Sequence, residues 1–142
     1  MAKTLTIKVE RARGHGVHGL MPGEGAYCQL SLPGAEPQEL FTRTAQPSKL
    51  PHLSVEWGQE FTLTPPGSGD GGELAVTLLG RWAPLDKPLG PHSDDFIGRG
   101  SCDVAALLEG STKQVVLVPL RSSTGREVGE VELVLRMHAA PQ

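Results

Sequence analysis

Apolar and polar side chains alternate with a period of two along most of this 142-residue chain. In an extended strand successive side chains point to opposite faces, so the alternation describes strands with one face buried and the other in water. "LTIKV" sets Leu5, Ile7 and Val9 on one face. "YCQLSL" does so with Cys28, Leu30 and Leu32, "ELAVTL" with Leu74, Val76 and Leu78, and "VELVLRM" with Val131, Leu133, Leu135 and Met137. "EWGQEFTL" and "QVVLVPL" read as two more strands, the second apolar on both faces. "ELFTRTA" and "DFIGRGSCDV" are weaker signals that bring the expected total to about eight. Strands of this length, separated by Gly/Pro/Ser clusters, predict an all-β fold: an antiparallel eight-stranded β-sandwich.

The breaks between strands are emphatic. "RGHGVHGLMPGEG" carries five glycines, a composition that predicts no regular structure there. "TPPGSGDGGE" reads as a flexible hairpin connection, too short to separate domains. One helical piece stands out, "SCDVAALLEG". It predicts a short helix between strands six and seven, near Asp103–Glu109, with Ser101 or Asp103 as its cap and Gly110 as its stop. One sandwich domain over residues 1–138 is expected, with 139–142 as a frayed tail.

Composition removes several classes of function. The formal net charge is −3 and no basic run appears, so nucleic acid is not an expected partner. No apolar stretch is long enough to span a membrane. "MAKTLTIKVE" places charge inside a strand pattern where a signal peptide would need an apolar core, so a cytoplasmic chain is expected. Cys28 and Cys102, two cysteines in strand-like segments, read as buried free thiols and not as a disulfide framework. No nucleophile elbow, phosphate loop, dinucleotide fingerprint or HExxH occurs, and "GSGDGG" lacks the lysine and helix that a phosphate cradle requires. A non-catalytic chain without a cofactor is the expectation.

In their order along the chain these segments resemble a C2 domain. "LTIKVERARG" is like the family's first strand and turn, and "GAYCQLSL" lies where the family has Asp-Pro-Tyr and a strand. "FTRTA" places Thr44 at the usual threonine. "VEWGQEFTL" matches the Trp-Asn-Glu-x-Phe signature through Trp57, Glu60 and Phe61. "DDFIGRG" matches Asp-Asp-x-Ile-Gly through Asp94, Asp95, Ile97 and Gly98, and "GEVELVL" matches the closing strand. The resemblance covers nearly the whole chain and implies the circular variant called type II topology. Beside it, the residues have plain structural roles. Trp57 and Phe61 supply apolar bulk for a core, and Gly98 marks a backbone position that needs room or a positive φ.

The resemblance implies a calcium question. Family members that bind calcium place about five aspartates in their first and third loops, because the ion takes six to eight hard oxygens. The first aspartate of this chain is Asp70, so its first loop has none. Gly25 stands at the family's aspartate before the tyrosine, with Glu24 beside it. In the third loop, Gly80 and Trp82 stand at two aspartate positions. Only Asp94 or Asp95 stands at a remaining aspartate position, and Asp86 is a further carboxylate at no family position. Calcium independence is the expectation. A zinc site from His15, His18, His92 and Asp94 is a second idea, against which solvated loop histidines are the plainer reading.

The family's lipid-binding patch falls on "LPGAEPQELFTRTAQPSK", where Arg43 and Lys49 are balanced by Glu36 and Glu39. Each basic side chain near an anionic membrane contributes about 1 kcal/mol, so a balanced patch supplies little attraction. By family analogy the expected function is calcium-independent docking to a protein in a scaffolding, trafficking, cytoskeletal or ciliary setting. Peripheral membrane (phospholipid) binding through loops one and three, with or without a weak dependence on calcium, is the alternative. The residues expected to meet the partner are His18, Met21 and Glu24 in loop one, and Trp82, Leu85, Asp86, Leu89, Asp94 and Asp95 in loop three. Trp82 has two readings: an exposed anchor on a loop limited by Pro84, Pro88 and Pro91, or a cover over the sandwich end.

Overall fold

The computed structural model describes residues 3–20, 24–48, 53–66, 72–82, 95–108 and 112–139. Its elements are β1 (Lys3–Arg13), α1 (His15–His18), β2 (Glu24–Ser31), β3 (Glu39–Phe41), β4 (Ser54–Leu63) and β5 (Glu73–Trp82). They continue with β6 (Asp95–Asp103), α2 (Val104–Leu108), β7 (Lys113–Arg121) and β8 (Glu127–Ala139). The eight strands follow the order β3-β2-β5-β6-β7-β8-β1-β4, and every pairing is antiparallel. β6 meets β7 at a single residue pair, Arg99 opposite Arg121. The sheet turns at that seam into two four-stranded halves that enclose one core.

The alternating residues fill that core. Leu5, Ile7, Val9, Cys28, Leu30, Leu32, Leu74, Val76, Leu78, Val131, Leu133 and Leu135 are all buried, as the period of two requires. Met137, on the same face of β8, is only partly buried against them. "QVVLVPL" is apolar on both faces, but only one of them is buried. Val116, Val118 and Leu120 point inward, while Val115 and Leu117 lie exposed on the other side of β7. Trp57 is 3% exposed, and its indole N–H donates to the Ala26 carbonyl at 3.3 Å. Phe61 is half-buried at the margin of the same cluster. Gly98 has no positive φ. Its need is for room, because a Cβ there would lie 2.7 Å from Val128 Cγ2 and 3.1 Å from Leu120 Cβ.

Three local expectations are corrected. The glycine-rich first loop contains one helical turn, α1. The Gly14 carbonyl accepts from the amides of Val17 and His18, both at 3.1 Å, and the buried Val17 pins the turn to the core. "ELFTRTA" forms a strand only over Glu39–Phe41. The buried Thr42 then takes over, its hydroxyl accepting from the Cys28 amide at 2.9 Å, so a side chain replaces a ladder bond. Asp103, not Ser101, caps α2. The Asp103 carboxylate accepts from the Ala106 amide at 3.1 Å, whereas the Ser101 hydroxyl donates to Glu73 at 2.5 Å. Gly110 lies outside the described residues. β8 runs through Ala139, and residues 140–142 also lie outside them.

The thiols permit a direct check of the packing. Cys28 is fully buried and Cys102 half-buried. Burial pushes the Cys28 thiol far above its ordinary range. Burial, with the charges of Asp103 and Glu73, pushes Cys102 up to about 11. The thiolate is the reactive form, so both should react slowly at pH 8. Expected in a thiol-labelling time course is slow modification of Cys102 alone in the native protein, with Cys28 reacting only once denaturant is added. Rapid labelling of Cys28 in the native state would contradict its place in the core.

Candidate functional site

α1 and the ends of β2, β5 and β6 converge at one end of the sandwich. α1 is held there by contact. A Cβ on Gly16 would lie 2.5 Å from Ile97 Cγ2 of β6. Leu20, just after α1, reaches β5, where its Cδ2 would lie 3.4 Å from a Cβ on Gly80. Strand register adds the rest. Glu24 is opposite Trp82, Gly25 opposite Arg81 and Ala26 opposite Gly80, while Gly80 is opposite Asp95. Loop one and the strands that flank loop three therefore share one end, as their sequence positions imply.

Of the residues expected to meet a partner, the structure brings His18, Glu24, Asp95 and the backbone of Trp82 to this end. His18 and Asp95 are exposed. Glu24 is buried, at 6% exposure. Its carboxylate folds over β5, with Oε2 2.6 Å from where a Gly80 Cβ would be. The Glu24 side chain thus fills the space that Gly80 leaves vacant. Met21, Leu85, Asp86, Leu89 and Asp94 lie outside the described residues, as do His92 and Lys49, and of Trp82 only the backbone is described.

Of the two glycines that the resemblance matches to aspartates, Gly25 is closed by neighbouring backbone, whereas the space at Gly80 is occupied by the flexible end of Glu24. A Cβ on Gly25 would meet Thr44 Cγ2 at 2.8 Å and the Ala45 carbonyl oxygen at 2.9 Å. That carbonyl accepts from the Ala26 amide at 2.8 Å, and the Ala45 amide donates back to the Ala26 carbonyl, so the backbone there cannot give way cheaply. On Gly80, a carboxylate would be built into the Glu24 carboxylate. Calcium needs six to eight oxygens converging from both loops. The described residues offer Glu24, already folded away, and Asp95, and they do not fit that demand. Among the described residues no group of three His, Cys, Asp or Glu side chains is placed to hold a metal. Gly25→Asp, intended to restore the family's carboxylate, is expected to cost about 1–3 kcal/mol by overpacking. Its urea midpoint should fall accordingly, and an unchanged midpoint would show that Thr44 and Ala45 yield freely.

Several features of the site carry no signal in the sequence. Phe96, beside Asp95, is 43% exposed. It is placed by an irregularity in the β5–β6 ladder, where Leu78 pairs with Gly98 but Leu79 pairs with Phe96. Ile97 is the extra residue. Arg81 is 3% exposed, and its Nε and Nη1 have no hydrogen-bond partner among the described residues. On the opposite half, Arg11 bridges β4 and β8, 2.9 Å from Glu56 and 2.9 Å from Glu132. Its hydrogen bond to Glu56, opposed by burial, holds the guanidinium above its ordinary value. Burial alone would raise the Glu56 carboxyl, but hydrogen bonds from Ser54 and Arg11 hold it below the usual range.

No protein-family model and no curated protein sequence matches the chain. Solved structures do. The C2A domain of plant extended synaptotagmin 1 superposes with a TM-score of 0.69 at 18% identity, over 98% of this chain and 96% of that one. A structure of CC2D1B matches with a TM-score of 0.70 at 15% identity, over 96% of this chain and 55% of that one. Human GIVD cytosolic phospholipase A2 matches with a TM-score of 0.67 at 18% identity, covering 100% of this chain but 18% of the enzyme. The chain has the C2 fold, an all-β sandwich with a short helix between its sixth and seventh strands. Among the described residues no helix is long and apolar enough to cross a membrane.

Proposed function

We propose that this chain is a non-catalytic C2-type binding module that docks to a protein without calcium. The observation that supports this most is the closure of Gly25 by the Ala45 backbone, with the Glu24 carboxylate lying in the space beside Gly80. Where a calcium cradle would need two aspartates, one position is filled by a neighbouring backbone and the other by the Glu24 carboxylate. A module of this fold without an ion must bind through its own side chains. On this reading the contact is made by loops one and three: His18 and Met21 from the first, with Glu24 buried at its end, and Trp82, Leu85, Asp86, Leu89, Asp94 and Asp95 from the third.

Sedimentation with anionic liposomes, with and without millimolar calcium, tests the reading. The protein is expected to stay in the supernatant in both conditions. Pelleting with calcium, lost on Asp95→Ala, would establish a calcium-dependent membrane module. Pelleting without calcium, lost on Trp82→Ala, would establish membrane insertion through loop three. The role of Trp82 is read separately, by acrylamide quenching in a Trp57→Phe background. An anchor is quenched freely and its truncation leaves stability unchanged. A cover is shielded, and its truncation costs about 3–5 kcal/mol if fully buried.

A further inference from the structure

Among the described residues, Arg81 is the only charged side chain with enclosed polar atoms that meet no partner. It is 3% exposed, and Nε and Nη1 are both shut in without a hydrogen bond. Among the described residues no ion pair reaches it, unlike Arg11 and Arg13 on β1. Its third nitrogen, Nη2, is not enclosed, so the guanidinium meets the surface at one corner. A guanidinium keeps its charge in a protein, and a buried charge left without a counterpart is costly. Such a group is retained where something else neutralises it.

Strand register identifies its surroundings. Arg81 is opposite Gly25, and residues directly opposite in a ladder share a face. Thr44 leans onto that same face, its Cγ2 2.8 Å from where a Gly25 Cβ would be. The Thr44 hydroxyl is also enclosed without a partner. One glycine thus lies between two polar groups that both lack hydrogen bonds. Tyr27 and Leu79, opposite each other and next along the two strands on this face, are fully buried and bring no charge. The carboxylates at adjoining positions face the other way. Glu24 folds over Gly80, and Asp95 is opposite Gly80, on the side of β5 to which Leu78 points.

We propose that Arg81 and Thr44 form a binding site for an oxyanion of the phosphate class, either free phosphate or the phosphate of a lipid headgroup. The site goes beyond protein docking and does not depend on it. Each hydrogen-bonding edge of a guanidinium includes Nη2, together with Nε or with Nη1. An anion that arrives at the open corner therefore takes up a nitrogen that is otherwise unsatisfied, in the paired contact by which arginine grips phosphate. Thr44 adds a hydroxyl donor from a separate segment of the chain. Donors from two segments suit a tetrahedral group with four oxygens better than a carboxylate with two.

Melting curves at equal ionic strength, in chloride alone and with inorganic phosphate, test the site. Saturating phosphate is expected to raise the melting temperature of the parent by several degrees. It should leave Arg81→Met unmoved and raise Thr44→Val by less than the parent. A titration of the unaltered protein needs no variant to fold: the Nε–H resonance of Arg81 should move with phosphate and stay still with chloride. No rise in the parent, an equal rise in Arg81→Met, or a still resonance overturns the inference. So does a phosphate response that appears only when Asp86→Asn and Asp94→Asn are combined, which would give Arg81 a carboxylate of its own chain. Vesicles of phosphatidylcholine with phosphatidic acid separate the two sources. Sedimentation with them that is lost in Arg81→Met would place the phosphate on a lipid, supporting the site while overturning protein docking. A thermal response without sedimentation assigns the site to free phosphate and leaves protein docking standing.

Discussion

Trp57→Ala is expected to lower stability by about 3–5 kcal/mol, the range for truncating a buried tryptophan. Two losses combine. The indole is almost wholly removed from water, so its removal forfeits the transfer term and leaves a cavity in the core. The smaller loss is the bond from its N–H to the Ala26 carbonyl, which keeps the Ala45 amide as a donor. A domain of this size holds only about 0.05–0.15 kcal/mol per residue, so the change removes a large share of the total. A fall in melting temperature on the order of 10 °C should follow. Trp57→Phe should cost less, because most of the ring volume remains. A Trp57→Ala protein that melts within a few degrees of the parent would mean that the two sheet halves can close over the gap.

Gly129→Ala is expected to be nearly as severe, although it adds a single methyl group. Gly129 has φ +153, and a Cβ there would lie 2.3 Å from the Arg13 carbonyl oxygen and 3.4 Å from Gly14 Cα. Gly14 itself has φ +119 and would meet Gly129 Cα at 2.4 Å. The two glycines let β8 touch the chain where β1 passes into α1, so neither backbone can retreat without opening the β1–β8 ladder. Strain at such a φ costs about 1–3 kcal/mol, and the overlap adds a further loss of about 1–3 kcal/mol. Gly125→Ala is the control. Gly125 also has a positive φ, +81, but nothing lies within 4 Å of its Cβ position, so only the conformational cost of about 1–2 kcal/mol applies. Urea midpoints should therefore fall in the order parent, Gly125→Ala, Gly129→Ala. Equal midpoints for the two variants would contradict the close backbone contact.

What is legible in the sequence is what repeats along it. Leu5, Ile7 and Val9 declare the inner face of β1 by spacing alone, and the same holds for the inner faces of β2, β5 and β8. The helix between the sixth and seventh strands is legible from a cap and a short apolar run. Features that depend on two distant segments are not. Nothing near Gly25 in sequence reveals that Thr44 and Ala45 close over it, and nothing near Gly80 reveals that Glu24 lies across it. Phe96 reads as one more strand residue until the extra residue at Ile97 turns it outward. "QVVLVPL" reads as apolar on both faces, and nothing in its composition tells that only the face of Val116, Val118 and Leu120 is covered while Val115 and Leu117 lie in water. α1 escapes the sequence for a related reason: five glycines argue against a helix, but Val17 finds a place in the core that outweighs them.

As proposed, this domain works without calcium, unlike C2 domains that grip the ion between two loops. A ligand that binds only the folded state stabilises it by about 2.7 kcal/mol at 100 times its dissociation constant. For a chain of this length that is a rise of several degrees, at roughly 2–8 °C per kcal/mol. Melting curves of the domain with chelator and with 1 mM calcium chloride (a concentration about 100 times the dissociation constant of a sensor-type site) measure the difference directly. No shift is expected, because Gly25 and Gly80 offer no carboxylate and Glu24 is already folded into the strand. A rise of several degrees that disappears in Asp95→Ala would contradict a module that binds its partner without calcium.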